Sequence, residues 1–131
     1  MGLTSEERDA VKSLHLEKAV TFLNNADKYF ENGDLSTSAN RYYYACFHAI
    51  HALFVTNGVT TKSHDGLNVQ FNLKFIKTGI LDAKFGAFIA RMENLRNKAD
   101  YDVLFSVSSD DLENIRPLVH ELIQIISQKL Q

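Results

Sequence analysis

Tryptophan is absent from the 131 residues, and there are only one cysteine, one proline and six glycines. A lone Cys46 cannot close an internal disulfide, so packing has to hold the fold, and a reducing cytoplasm is the compartment expected. The amino terminus, MGLTSEERDA, carries no apolar run suited to a signal peptide, and no stretch approaches the roughly 20 apolar residues that span a bilayer. Neither sign of charge dominates. Fourteen Lys and Arg face sixteen Asp and Glu, a net −2, which removes any global basic field toward nucleic acid or membrane and makes such binding a local matter. Gly-rich phosphate loops, paired-carboxylate motifs and GxSxG elbows are also missing, so nothing announces a metabolic enzyme.

What the chain does have is apolar bulk. Hydrophobic residues make up 45%, with nine Phe and five Tyr, enough to fill one core in a chain of this size, and residues 1–131 are expected to form a single domain. Helical punctuation divides it. The Thr4 to Glu7 spacing matches a capping box opening a helix that runs to about Glu31, before Asn32-Gly33. Its apolar stripe is Leu16, Ala19, Val20, Leu23, Ala26 and Phe30. A second helix is predicted from about Asp34 to Ser36 until Asn57-Gly58, and a third from Ser63 to Thr78-Gly79. The fourth opens at Asp82 with Phe85, Phe88, Ile89, Met92, Leu95 and Ala99 inward. DVLFSVS alternates like an extended connector, and a last helix from Ser108 or Ser109 reaches Leu130, with Asp110 and Asp111 at the positive end of its dipole and Pro117 bending it. Five helices with short loops predict an all-α, up-and-down antiparallel bundle.

Helix two, RYYYACFHAIHALF, is the most informative stretch. Ala39, Tyr43, Cys46, Phe47, Ile50 and Phe54 share one side and Ala45, Ala49 and Ala52 form a small-residue side, so this helix should be central. The remaining arc carries Arg41, Tyr44, His48 and His51. His48 and His51 are spaced i, i+3, but no carboxylate or cysteine joins them there, and zinc takes three or four protein ligands in such settings. Hydrogen-bonded interior or interface histidines are therefore the expectation, with no metal and no cofactor. His15, His64 and His120 lie far apart in sequence and form no constellation by themselves. Cys46, on the core face, reads as a small buried hydrophobe rather than a nucleophile.

Charge is uneven. From Lys62 to Lys98 seven basic residues meet three acids, a local +4, and from Ala99 onward the balance is −4. Solvated helix faces account for this, as does a phosphate-binding patch. At the end of helix four, LRNKADYD places Arg96, Asn97, Lys98, Asp100 and Tyr101 within two turns. A guanidinium fork matches phosphate geometry and a phenol can stack on a base; equally, Arg96 and Asp100 can pair i, i+4 as a structural tie.

With SANRYYYACFHAIHALF, SHDGL, FIKTGIL and LRNKADYD in order, the chain from about Leu16 to Leu130 resembles the HEPN domains. That resemblance implies a small up-and-down helical bundle that dimerises, encoded beside or fused to a minimal nucleotidyltransferase partner, in toxin-antitoxin or defence-like systems. It implies contact with nucleotide or RNA. Active members resemble one another as metal-independent endoribonucleases carrying an Arg followed after four to six residues by a His. Here Arg96 is kept and Asp100-Tyr101 stands where the histidine is expected. A carboxylate repels phosphate and has a pKa unsuited to that proton transfer. Arg41 and His48 have the ribonuclease spacing but lie in helix two, where the match counts only if folding brings the pair to the cleft. The Ala99-Asp100-Tyr101 form resembles a branch described as binding rather than catalytic. The expected module thus offers Arg96, Asn97, Lys98, Asp100 and Tyr101, supported by Arg41, Tyr44 and His48, to a nucleotide or RNA. The alternatives are a ribonuclease with His48 in the missing role and a purely structural dimeric scaffold.

Overall fold

A computed structural model describes residues 2–61 and 64–131, the side chains of His64 and Asp65 excepted. Lys62 of the basic segment and the expected helix start at Ser63 therefore lie outside the described residues. The elements are α1 (Ser5–Glu31), α2 (Leu35–Thr56), α3 (His64–Phe71) running into a π-helical turn (Asn72–Ile76), α4 (Lys84–Tyr101) and α5 (Ser109–Lys129).

Local chemistry sets most of these boundaries. Thr4 and Glu7 form the reciprocal capping box, the Thr4 hydroxyl accepting from the Glu7 N–H at 3.1 Å and the Glu7 carboxylate from the Thr4 N–H at 3.0 Å. Asp34 caps α2 through the Thr37 N–H, and Ser108 and Asp111 form a second capping box on α5. After α2 the chain turns through Gly58 at φ 69°, a left-handed position where a side chain would be strained.

Contacts between elements give the topology. Ser38 on α2 donates to the Ala26 carbonyl of α1, Tyr44 meets Phe22, and His48 meets His15. As α2 advances its partners on α1 recede, so the two are antiparallel. Asn40 to Asp100 and Tyr44 to Arg96 give α4 the same antiparallel sense against α2. Lys12 to the Leu130 carbonyl and Asp27 to Arg116 do so for α5 against α1. The result is the expected all-α, up-and-down bundle, and α2 packs against α1, α4 and α5. Eleven α2 residues are buried, including the small-residue side of Ala45, Ala49 and Ala52. Burial pushes the Cys46 thiol up in pKa, which keeps it an unreactive core group.

Several expectations change. Val20 is 46% exposed, and α1 buries only Ala19, Leu23 and Ala26, with Leu16, Phe22 and Phe30 half-buried. Helix three is not one long α-helix: it gives way at Asn72 to the π turn, closed by Lys77 N–H to the Asn72 carbonyl at 2.8 Å. Asp82 precedes α4 rather than opening it, its carboxylate accepting from the Lys84 N–H at 2.9 Å. The 102–108 connector contains a turn at Val103 and Leu104 and no strand. Pro117 lies inside α5, as expected.

Candidate functional site

The end of α4 lies against the middle of α2, and Arg96 is the centre of that junction. Its side chain is 15% exposed. One terminal nitrogen donates to the Tyr44 hydroxyl at 2.8 Å and the other to the Asn97 side-chain oxygen at 2.9 Å. Nε stands 3.1 Å from Asp100 Oδ2, an ion-pair contact, but its N–H is not aimed at that oxygen and finds no acceptor. The guanidinium carbon also lies 5.4 to 5.7 Å from the ring centroids of Tyr43, Tyr44 and Tyr101. A cation so enclosed by rings and held at its edges is fixed in orientation before any ligand arrives. Each terminal nitrogen keeps one N–H with no acceptor among the described residues.

Asp100 joins a second cation to this junction. Its Oδ2 accepts from Asn40 Nδ2 at 3.1 Å, while Asn40 Oδ1 accepts from Arg41 at 2.5 Å. Arg41 spreads over the Phe22 and Tyr29 rings of α1 at 5.8 and 6.0 Å. Ser36, Thr37, Asn40, Arg41 and Asp100 line a small cavity of about 230 Å3 there. Asn40 and Phe22 escaped the sequence reading. Asn40 stands four residues before Tyr44 on the same helical face, and that spacing is the signal that could have found it.

Two expected members turn away from Arg96, although Lys98 still borders a shallow cavity with Asn97 and Tyr101. Lys98 is two residues past Arg96, about 200° around the helix, and its ammonium sits 5.7 Å from the Phe105 ring centroid, lining a cleft between α4 and α5. His48 faces α1: its Nδ1 is 3.1 Å from His15 Nδ1, and its ring stacks on Phe22 at 5.4 Å and 11°. His15 in turn stacks on His51 at 5.4 Å. The structure thus gathers three histidines from two helices, which no spacing within either helix could reveal. Burial lowers the pKa of His48 to about 4, with His15, Lys18 and His51 adding to the shift. Among the described residues no group of three or more side chains is arranged to hold a metal. No described helix is long and apolar enough to cross a membrane.

Tyr101 extends beyond Arg96 and is 73% exposed, followed by Val103 at 96% and Leu104 at 93%. On the opposite side of α2, buried Tyr42 donates to Asp27 and accepts from Arg116 Nε at 2.8 Å, and His120 completes the group 3.1 Å from Asp27. Burial, with the Asp27 carboxylate beside it, pushes the Tyr42 hydroxyl up in pKa. This network ties α1, α2 and α5 together.

Comparison with known proteins bears on the whole arrangement. Residues 13–130 match the HEPN domain. A Methanocaldococcus jannaschii protein bearing the name Putative toxin MJ0605 is 35% identical over 99 residues, 76% of this chain and 73% of its own. Putative toxin MJ0142 of the same organism is 30% identical over 98 residues, 75% of this chain and 67% of its own. A UPF0332 protein of Thermotoga maritima is 29% identical over 108 residues, 82% of each chain. With this match covering nearly all of α1 to α5, the protein belongs to the HEPN domain family.

Proposed function

We propose that this chain is a non-catalytic HEPN-type module that binds nucleotide or RNA phosphates through Arg96, as a homodimer acting with a nucleotidyltransferase-type partner in a toxin-antitoxin setting. The observation that carries this reading is the fixed Arg96 guanidinium, held by Tyr44, Asn97 and Asp100 with one N–H on each terminal nitrogen still available. Two such N–H groups match two phosphate oxygens, and the exposed Tyr101 ring beside them offers a surface on which a base can stack. The setting is supported by two relatives that carry the word toxin in their names.

Catalysis is disfavoured on two counts. Asp100 occupies the ground beside Arg96 where a proton-transferring histidine would act, and no contact joins His48 to Arg96 among the described residues. With its pKa near 4, His48 is neutral at physiological pH, so it carries no acidic imidazolium proton to give and is a weak base.

Titration of a labelled single-stranded RNA with wild type, Arg96→Lys and Arg96→Ala tests the proposal, folding of each variant being checked by circular dichroism. Both variants are expected to bind at least about tenfold more weakly, since a point charge cannot replace a fork, and added salt should weaken wild-type binding. The RNA should remain intact with and without EDTA. Equal affinity of all three proteins reduces Arg96 to a structural tie. Metal-independent cleavage lost in Arg96→Ala or His48→Ala makes the protein a ribonuclease.

A further inference from the structure

On the side of α4 away from Arg96, Arg91, Asn94 and Lys98 are spaced i, i+3, i+7 and share one helical face. Asp111 and Asn114 of α5 stand opposite, and Phe105 from the connector lines the same cleft of about 270 Å3. These polar groups are exposed and open to a ligand. The side chains of Arg91, Asn94, Lys98 and Asn114 make no hydrogen bond or ion pair among the described residues, and the Lys98 ammonium lies 5.7 Å from the Phe105 ring centroid. Asp111 hydrogen-bonds only to Ser108, in the capping box. Two cations and one carboxylate leave the cleft at net +1 (Arg91 and Lys98 against Asp111).

We propose that this cleft is a separate binding site for a small phosphomonoester whose skeleton carries hydroxyl groups. The cation pair provides for the phosphate, since charge-assisted hydrogen bonds to Arg and Lys are the strong ones. Asp111 makes the specificity: a bare anion meets repulsion from its carboxylate, whereas a sugar hydroxyl donates to it. Asn94 and Asn114 can donate or accept, and the Phe105 ring gives an apolar surface for a sugar face or a base. The volume lies just below the range usual for drug-sized ligands, which fits a ligand of sugar-phosphate or mononucleotide size. The site does not depend on the reading of Arg96.

Calorimetric titration of the intact protein with ribose 5-phosphate, adenosine 5′-monophosphate and inorganic phosphate tests the proposal. At least one organic phosphate should bind about tenfold or more tightly than inorganic phosphate, and Arg91→Ala with Lys98→Ala should weaken it by about tenfold or more. Adenosine monophosphate binding above ribose 5-phosphate marks a nucleotide site, and equal binding marks a sugar-phosphate site; both support the proposal. Asp111→Asn, which keeps a capping oxygen, should shrink the preference over inorganic phosphate. Arg96→Lys should leave the ribose 5-phosphate affinity unchanged within about twofold while lowering RNA binding, and the Arg91 and Lys98 double variant should lower the ribose 5-phosphate affinity, so the two sites fail or stand separately. Absence of binding by either organic phosphate, or binding indifferent to the double variant, overturns the proposal.

Discussion

His48 shows how far neighbours decide a side chain's chemistry. By number it follows Arg41 at the ribonuclease spacing, yet it turns to α1, where Phe22 and His15, with Phe47 of its own helix, displace water from it. The charged groups acting on it are His15, Lys18 and His51, all of which disfavour a further proton. His15 is lowered too, by burial first and Lys18 second. An unfolded chain restores the ordinary value of 6.5, so between about 6.5 and 4 the unfolded state binds more protons than the folded one. The stability contributed by neutral His48 is therefore complete above the unfolded pKa, declines as pH falls through that window, and is lost below the folded pKa. Urea midpoints should fall from about pH 7 to about pH 4.5, and fall less in His48→Gln. Equal slopes in the two proteins would remove His48 as the cause. Residues of this kind were the least legible in the sequence. In the Tyr42-Tyr43-Tyr44 run, helical period placed Tyr43 in the core and Tyr44 on the site's arc, but Tyr42 finds its partners Asp27 and Arg116 on other helices.

At the level of elements, the start of α1, both ends of α2 and the start of α5 were readable because capping residues and terminal glycines act within a few positions of themselves. The α3 segment was not, because its form depends on α4. Asn72 turns its side-chain amide back to the Asn68 carbonyl at 2.9 Å, and its oxygen faces Gly86, where an added Cβ would lie 2.6 Å away. Glycine at 86 thus lets the π turn rest against α4. In an ordinary helix interior, Gly→Ala stabilises by up to about 1 kcal/mol. Here Gly86→Ala should forfeit that gain, since the Asn72 side-chain amide must swing out of its place. In an Asn72→Ala background the same change should become stabilising. Thermal or urea unfolding of the four proteins reads that difference, and a gain in both backgrounds would detach the π turn from Gly86.

Across the whole molecule, polar interest concentrates on two sides of α4, and the most exposed large apolar side chains among the described residues lie at and just beyond its end. Tyr101, Val103 and Leu104 are 73%, 96% and 93% exposed and adjoin Asn97 and Lys98 around one shallow cavity. A contiguous apolar cluster held in water next to a candidate phosphate site is the kind of surface a partner covers. The proposed homodimer would bring two copies of it together across a two-fold axis. Arg96, Asn97 and Tyr101, with Arg41, Tyr44 and His48 behind them, would then line a shared groove and double a modest local charge. His48 is the member furthest from that groove, since its contacts run toward α1. Light scattering across a concentration series should show wild type passing from one mass to twice that mass. Leu104→Glu would place a charge in the interface and should raise the dissociation constant by about tenfold or more. Leu104 is exposed in the single chain, so the variant should fold and unfold as wild type does when the protein is dilute. A wild type that remains monomeric at every concentration leaves Arg96 to bind its phosphate on a single chain and ends the shared groove. A dimer indifferent to Leu104→Glu moves the interface away from the end of α4.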